Sequence, residues 1–103
     1  MPNNYHVNIY PLAYKDLEEI FKYISSNLGN PIAANAFIEL FEERISSLSR
    51  FPFMYPYLDN EFIPQNMFRN MMIKNYAVIY RVVDEEIQIL RIFNSRRNYI
   101  EDI

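Results

Sequence analysis

From Met67 to Phe93 the chain reads MFRNMMIKNYAVIYRVVDEEIQILRIF, a run of Val, Ile, Met, Tyr and Phe broken only at Lys74-Asn75 and Asp84-Glu85. These residue types fit a pleated, half-buried surface, and two-residue breaks leave room only for tight turns. Parallel neighbours need a long crossover, so connections this short force antiparallel pairing. The spacing predicts a meander of strands over Phe68–Ile73, Tyr76–Val83 and Glu86–Phe93. Asn75 is expected to take the left-handed conformation in the first turn, and Asp84 to start the second. On the middle strand Tyr76, Val78, Tyr80 and Val82 share one face and Ala77, Ile79, Arg81 and Val83 the other. Both faces are substantially apolar, so a partner is expected over whichever face the rest of the chain leaves open.

Upstream, Tyr5-His6-Val7-Asn8-Ile9-Tyr10 alternates with period two and predicts a further strand with Tyr5, Val7 and Ile9 inward, stopped by Pro11. His6, the single histidine, faces the other way and has no second imidazole to help it hold a metal. Over Leu12–Leu28 the period changes. Leu17, Ile20, Phe21, Ile24 and Leu28 fall on one helical face, while Lys15/Glu19 and Glu18/Lys22 pair four apart on the other. Gly29, the only glycine, is placed to end this helix, and Asn30-Pro31 supplies a cap and first-turn proline for a second. There Ala33, Ala36, Phe37, Leu40, Phe41, Ile45 and Leu48 form the apolar stripe. Beyond Ser49, Pro52, Pro56 and Pro64 among Phe51, Phe53, Tyr55, Tyr57 and Phe62 predict a loop packed by its own rings. The order strand, helix, helix, loop, three strands predicts a two-layer α+β domain, with a helical hairpin on one face of an antiparallel sheet.

A chain of 103 residues, half of them hydrophobic, has material for one core, so residues 1–103 are expected to form a single domain. Without cysteine there is no disulfide and no thiol chemistry. No apolar stretch is long enough to span a bilayer and Met1–Tyr5 lacks a signal-peptide pattern, so a soluble, cytoplasmic protein is expected. The formal net charge of −3 speaks against indiscriminate nucleic-acid binding, but the charge is uneven. Residues 1–66 hold four Lys/Arg against eight Asp/Glu, and residues 67–99 hold six against three. The basic half could present a local cationic face to an anionic partner; the alternative is solvated arginines on the outside of a sheet.

No serine–histidine–aspartate arrangement, glycine-rich phosphate loop or metal-ligand cluster can be drawn from these residues, and the carboxylates mostly fall at solvated helical positions. No cofactor and no metal are expected. What remains for function is a cationic and tyrosyl set near the sheet: Arg69, Tyr76, Tyr80, Arg81, Arg91, Arg96, Arg97 and Tyr99.

Phe68-Arg69, then Asn75 to Val82, then Ile89-Leu90-Arg91-Ile92 and a closing Arg96-Arg97 together resemble the RelE/ParE superfamily of bacterial toxins. Leu48-Ser49-Arg50-Phe51-Pro52 and Tyr55-Pro56 resemble it too, so the likeness covers most of the chain. It implies a four-stranded sheet in which the N-terminal strand joins the meander, and a toxin of a type II toxin-antitoxin module that stops growth until a cognate antitoxin binds. Oligomers would form through that antitoxin. RelE-like members cut messenger RNA on the ribosome. Here Phe68 and Asn70 stand where that branch has lysines and Ala77 where it has an arginine, which leaves Arg96 and Tyr99 as the matching catalytic residues. Arg69 and the Arg96-Arg97 pair resemble instead the ParE branch, whose members inhibit DNA gyrase. That mechanism is the preferred expectation, with Arg69, Tyr76, Tyr80, Arg81, Arg91, Arg96 and Arg97 as target-binding residues. The alternatives are the ribosome-dependent nuclease and a non-toxic binding module of the same fold.

Overall fold

A computed structural model describes residues 4–96. The chain runs β1 (His6–Ile9), α1 (Pro11–Lys22), a π-helical turn (Tyr23–Asn27), α2 (Pro31–Arg50), and then β2 (Arg69–Ile73), β3 (Tyr76–Val83) and β4 (Glu86–Asn94). The meander forms as its spacing requires, with β2 to β3 and β3 to β4 antiparallel. The left-handed residue of the first turn is Lys74 (φ +56°), one position before the expected Asn75; Asp84 (φ +54°) opens the second turn.

The fourth strand corrects one expectation. Sheet order is β1-β4-β3-β2, and β1 lies parallel to β4, with His6 opposite Glu86 and Ile9 opposite Ile89. The sheet is therefore mixed rather than wholly antiparallel. Two-residue turns dictate the direction of β2, β3 and β4, but the helices and loop between β1 and β2 impose no such constraint.

A bulge in β4 decides which residues reach the core. Tyr80 pairs with Ile89 and Ile79 with Arg91, so Leu90 is an extra residue. Strict alternation after Ile87 and Ile89 would drive Arg91 into the hairpin-side core. The inserted residue reverses the phase, sending Ile92 to that core and Arg91 to the opposite face. The hairpin-side core unites Ala13 and Ile20 of α1, Phe37, Phe41 and Leu48 of α2, and Met71, Val78, Tyr80, Ile87 and Ile89 of the sheet. On the other face Ala77, Ile79 and Phe93 are also buried, with Leu58 and Phe68 packed against them. These residues are covered within the isolated chain, not left open for a partner.

In α1 the expected single helix to Leu28 is interrupted. The Leu28 N–H donates to the Tyr23 carbonyl (3.0 Å), an i→i+5 bond, before Gly29 closes the turn at φ +62°. Ser25, Ser26 and Asn27 are types whose side chains compete for backbone bonds. The widened turn carries Leu28 off the buried stripe, and it is 58% exposed. α2 starts as expected, with Asn30 Oδ1 accepting from the Ala33 N–H (3.0 Å) and Pro31 in the first turn. Its stripe is rotated slightly: Ala34 is buried and Ala36 exposed.

The loop after α2, expected to pack by its own rings, is also pinned to the sheet by backbone bonds. Tyr57 bridges Arg69, the Leu58 N–H donates to the Phe68 carbonyl (2.7 Å), and the Asn70 N–H donates to the Pro56 carbonyl (3.0 Å). Among the described residues no helix is long and apolar enough to cross a membrane.

Candidate target-binding surface

The structure separates the expected site residues into those that hold the fold and those that face outward. Arg69, at the start of β2, holds the aromatic loop. Its guanidinium donates to the carbonyls of Tyr55 (2.7 Å) and Phe53 (3.5 Å), and lies over the rings of Tyr57 (3.9 Å to the centroid) and Phe53 (5.2 Å). Tyr80 is wholly buried and its hydroxyl donates to the Pro52 carbonyl (2.9 Å), so its ring has no surface to offer a target. Arg81 begins a polar ladder across three strands. It donates to Gln88 Oε1 (2.6 Å), Gln88 donates to Glu86 Oε2 (3.0 Å), and Asn8 donates to Glu86 Oε1 (3.1 Å). The Gln88 bond first, then the Asn8 bond, holds the Glu86 carboxyl below the usual carboxylate range.

Arg91 meets α1. Its Nε and Nη2 donate to the two oxygens of Asp16 (2.8 and 3.0 Å), and the same carboxylate accepts from the Ile92 N–H (2.9 Å). β1 stops at Ile9, opposite Ile89, so the next outward N–H of β4 lacks a strand partner, and Asp16 supplies the acceptor. Asp16 is thus an exception to the expectation of solvated helical carboxylates.

Burial pushes the Tyr80 hydroxyl up to about 12, against the opposing charge of Arg69. A phenol that ionises near 10 unfolded and near 12 folded holds its proton more tightly in the native state. Its contribution is complete below pH 10 and is lost as the pH rises through 12, a fall of about 2 to 3 kcal/mol. Urea unfolding from pH 9 to 12 should show this decline, and Tyr80→Phe should make it shallower by about that amount; an unaltered slope would contradict the burial of the hydroxyl.

Tyr76 and Arg96 remain at the surface, and they share a feature. A cleft of about 540 Å³ lies between the tip of the helical hairpin and the end of the sheet. Tyr23, Ala36 and Phe37 line its hairpin side, and Lys74, Tyr76 and Arg96 its sheet side. Tyr76 packs edge-on against Phe37 (5.2 Å between centroids), and burial, then the neighbouring Tyr23, raises its hydroxyl above the ordinary phenol value. Lys74 and Arg96 make no side-chain bond among the described residues, so the outward cations of the meander gather at this end. Tyr23 and Lys74 were not expected here. The strand register could have shown Lys74, since it places the first turn beside the residues that follow β4. Arg97 and Tyr99 lie outside the described residues.

A helical hairpin over a four-stranded, mostly antiparallel sheet is the RelE/ParE arrangement. The chain belongs to the family described as the ParE toxin of the parDE type II toxin-antitoxin system, which matches residues 7–99. Among solved structures it is similar to the chromosomal ParDE system of Pseudomonas aeruginosa, at 23% identity and a TM-score of 0.71, covering 87% of this chain and 95% of that one. It is also similar to the RelBE2 toxin-antitoxin complex of Mycobacterium tuberculosis, at 22% identity and a TM-score of 0.60, covering 88% and 98%. A conserved hypothetical protein of Helicobacter pylori follows at 19% identity and a TM-score of 0.53, covering 90% and 97%. No curated protein matches the sequence.

Proposed function

We propose that this toxin acts in the cytoplasm by binding DNA gyrase and is neutralised by a cognate antitoxin, through which larger assemblies form. The observation that carries the reading is the match of nearly the whole chain to the ParE toxin of the parDE system. Among the described residues the cations beside the end of β4, Lys74 and Arg96, have no histidine or carboxylate in their cleft to take a proton, which supports the reading. Phosphodiester cleavage by 2′-hydroxyl attack needs a proton acceptor, a proton donor and cations around one phosphate. Arg69, Arg81 and Arg91 are engaged in holding the loop, the strand ladder and α1. The one histidine, His6, sits opposite Glu86, while Arg96 follows the far end of β4; the nine residues of β4 set its two ends roughly 26 Å apart. Binding to a target needs no such convergence, only an exposed surface with suitable charge.

Expression of the gene alone should arrest growth, and co-expression of the neighbouring antitoxin should relieve it. Purified protein should inhibit supercoiling by gyrase, and Arg96→Glu should weaken that inhibition about tenfold, the value of one well-placed charged contact. Messenger RNA 5′ ends mapped within minutes of induction should be unchanged. Codon-phased cuts abolished by replacing Arg96 or Tyr99 would instead establish the ribosome-dependent nuclease, and harmless accumulation of folded protein would establish a binding module.

A further inference from the structure

Two local irregularities border the cleft between hairpin and sheet. The π-helical turn sets Tyr23, Ile24 and Leu28 along one wall, and the left-handed Lys74 stands on the opposite rim. Widened helical turns are frequent at functional sites, and the left-handed Lys74 is what the two-residue turn requires to bring its side chain to the rim.

The rim is built to attract an anion. The Ser95 N–H donates to the Asn75 carbonyl (2.8 Å) and Tyr76 pairs with Asn94, so Lys74-Asn75 and Asn94–Arg96 stand on neighbouring strand ends about 5 Å apart. Asn94 Oδ1 accepts from the Arg96 N–H (3.0 Å), which leaves the amide nitrogen as a donor. Lys74, Asn75, Asn94 and Arg96 thus offer four donor side chains, two of them cationic, and among the described residues no carboxylate lines the cleft. In a chain of net charge −3 this is a local reversal of sign. The deeper wall is apolar, from Ala33, Ala36 and Phe37, and the hydroxyl-bearing rings of Tyr23 and Tyr76 close the two sides. A volume of about 540 Å³ falls within the range of small-molecule sites, where an apolar lining and a few placed polar groups are usual.

We propose that this cleft binds a nucleoside monophosphate, independently of which macromolecule the toxin inhibits. Lys74 and Arg96 hold the phosphate, whose near-double negative charge matches the two cations. The base lies against Tyr23 and the alanine-lined wall of α2, with the tyrosyl hydroxyls in reach of its polar edge and the ribose. An acyl chain would leave those hydroxyls without partners, and the single carboxylate of a peptide side chain would match one cation of the pair. Side chains here do the work of the glycine-rich backbone cradle that the sequence lacks.

Titration of the isotope-labelled chain with AMP, GMP, CMP and UMP, followed by amide chemical shifts, tests the assignment. At least one nucleotide should give saturable shifts confined to residues 23–28, 33–40, 74–76 and 94–96, and inorganic phosphate alone should bind at least about tenfold more weakly. Lys74→Glu and Arg96→Glu should each weaken nucleotide binding about tenfold or more, the worth of a charge-assisted bond. Ala36→Trp should block the cleft and abolish binding; should that variant misfold, the two charge reversals on the exposed rim carry the test. Absence of saturable shifts, shifts centred elsewhere, phosphate binding as tightly as the nucleotides, or stronger binding of N-acetyl-glutamyl-leucine amide would each overturn the assignment.

Discussion

Asp16→Ala should destabilise the protein by about 3 to 5 kcal/mol, the range for breaking a buried pair by removing one partner. Three bonds disappear together: two from the Arg91 guanidinium and one from the Ile92 N–H. The side chains of Arg91 and Asp16 are only 20% and 11% exposed, so water does little to compensate. Asp16→Asn separates the components. It keeps an oxygen for the Ile92 N–H but not the charge, and should cost about 1 to 3 kcal/mol. Urea unfolding of both variants checks the order. If alanine cost no more than asparagine, the acceptor that Asp16 provides to the end of β4 would have no energetic role.

Phe41→Ala should be comparably severe, at about 3 to 5 kcal/mol, because the ring is 2% exposed and sits where α2, α1 and the sheet meet. The neighbouring Glu42 is exposed, and Glu42→Ala should change stability by less than about 0.5 kcal/mol. The same unfolding series distinguishes them, and equal small losses at both positions would mean that the hairpin does not bury this stripe against the sheet.

The meander was legible because its information is local. Period-two alternation and two-residue breaks specify strand limits and direction without reference to the rest of the chain. The direction of β1 was not, since 59 residues lie between Ile9 and Arg69 and any orientation can be reached across them. The bulge at Leu90 was hidden inside the run Ile89-Leu90-Arg91-Ile92, where one extra apolar residue leaves no mark on composition. Its effect is large: it determines that Arg91 meets Asp16 instead of entering the core. The widened turn after α1 was equally silent, because Leu28 continues the helical period in sequence and leaves it only when one bond lengthens from i→i+4 to i→i+5.

The candidate site was harder to read than the fold. An arginine that stacks on Tyr57 and one that stands in water have the same letter. The intramolecular bonds of Arg69, Arg81 and Arg91 are hidden for this reason, since their partners Tyr55, Gln88 and Asp16 lie 14, 7 and 75 residues away in sequence. Tyr80 fell on the correct face of β3, but that face is the core. Lys74 is hidden for the opposite reason: in sequence it belongs to a turn, and only the register brings it beside Arg96.

The parallel pairing of β1 with β4 also has a temporal consequence. His6 and Glu86 are 80 residues apart, and closing so long a loop costs entropy that no local contact offsets. During synthesis the first strand must wait for β4 before it has a strand neighbour, while the helical hairpin can form early from nearby residues. Until β4 is made, the apolar stripes of that hairpin have no completed sheet to cover them. Maturation of this toxin is thus gated by the synthesis of β4, and a nascent chain interrupted before β4 carries neither the completed sheet nor the cleft at its end.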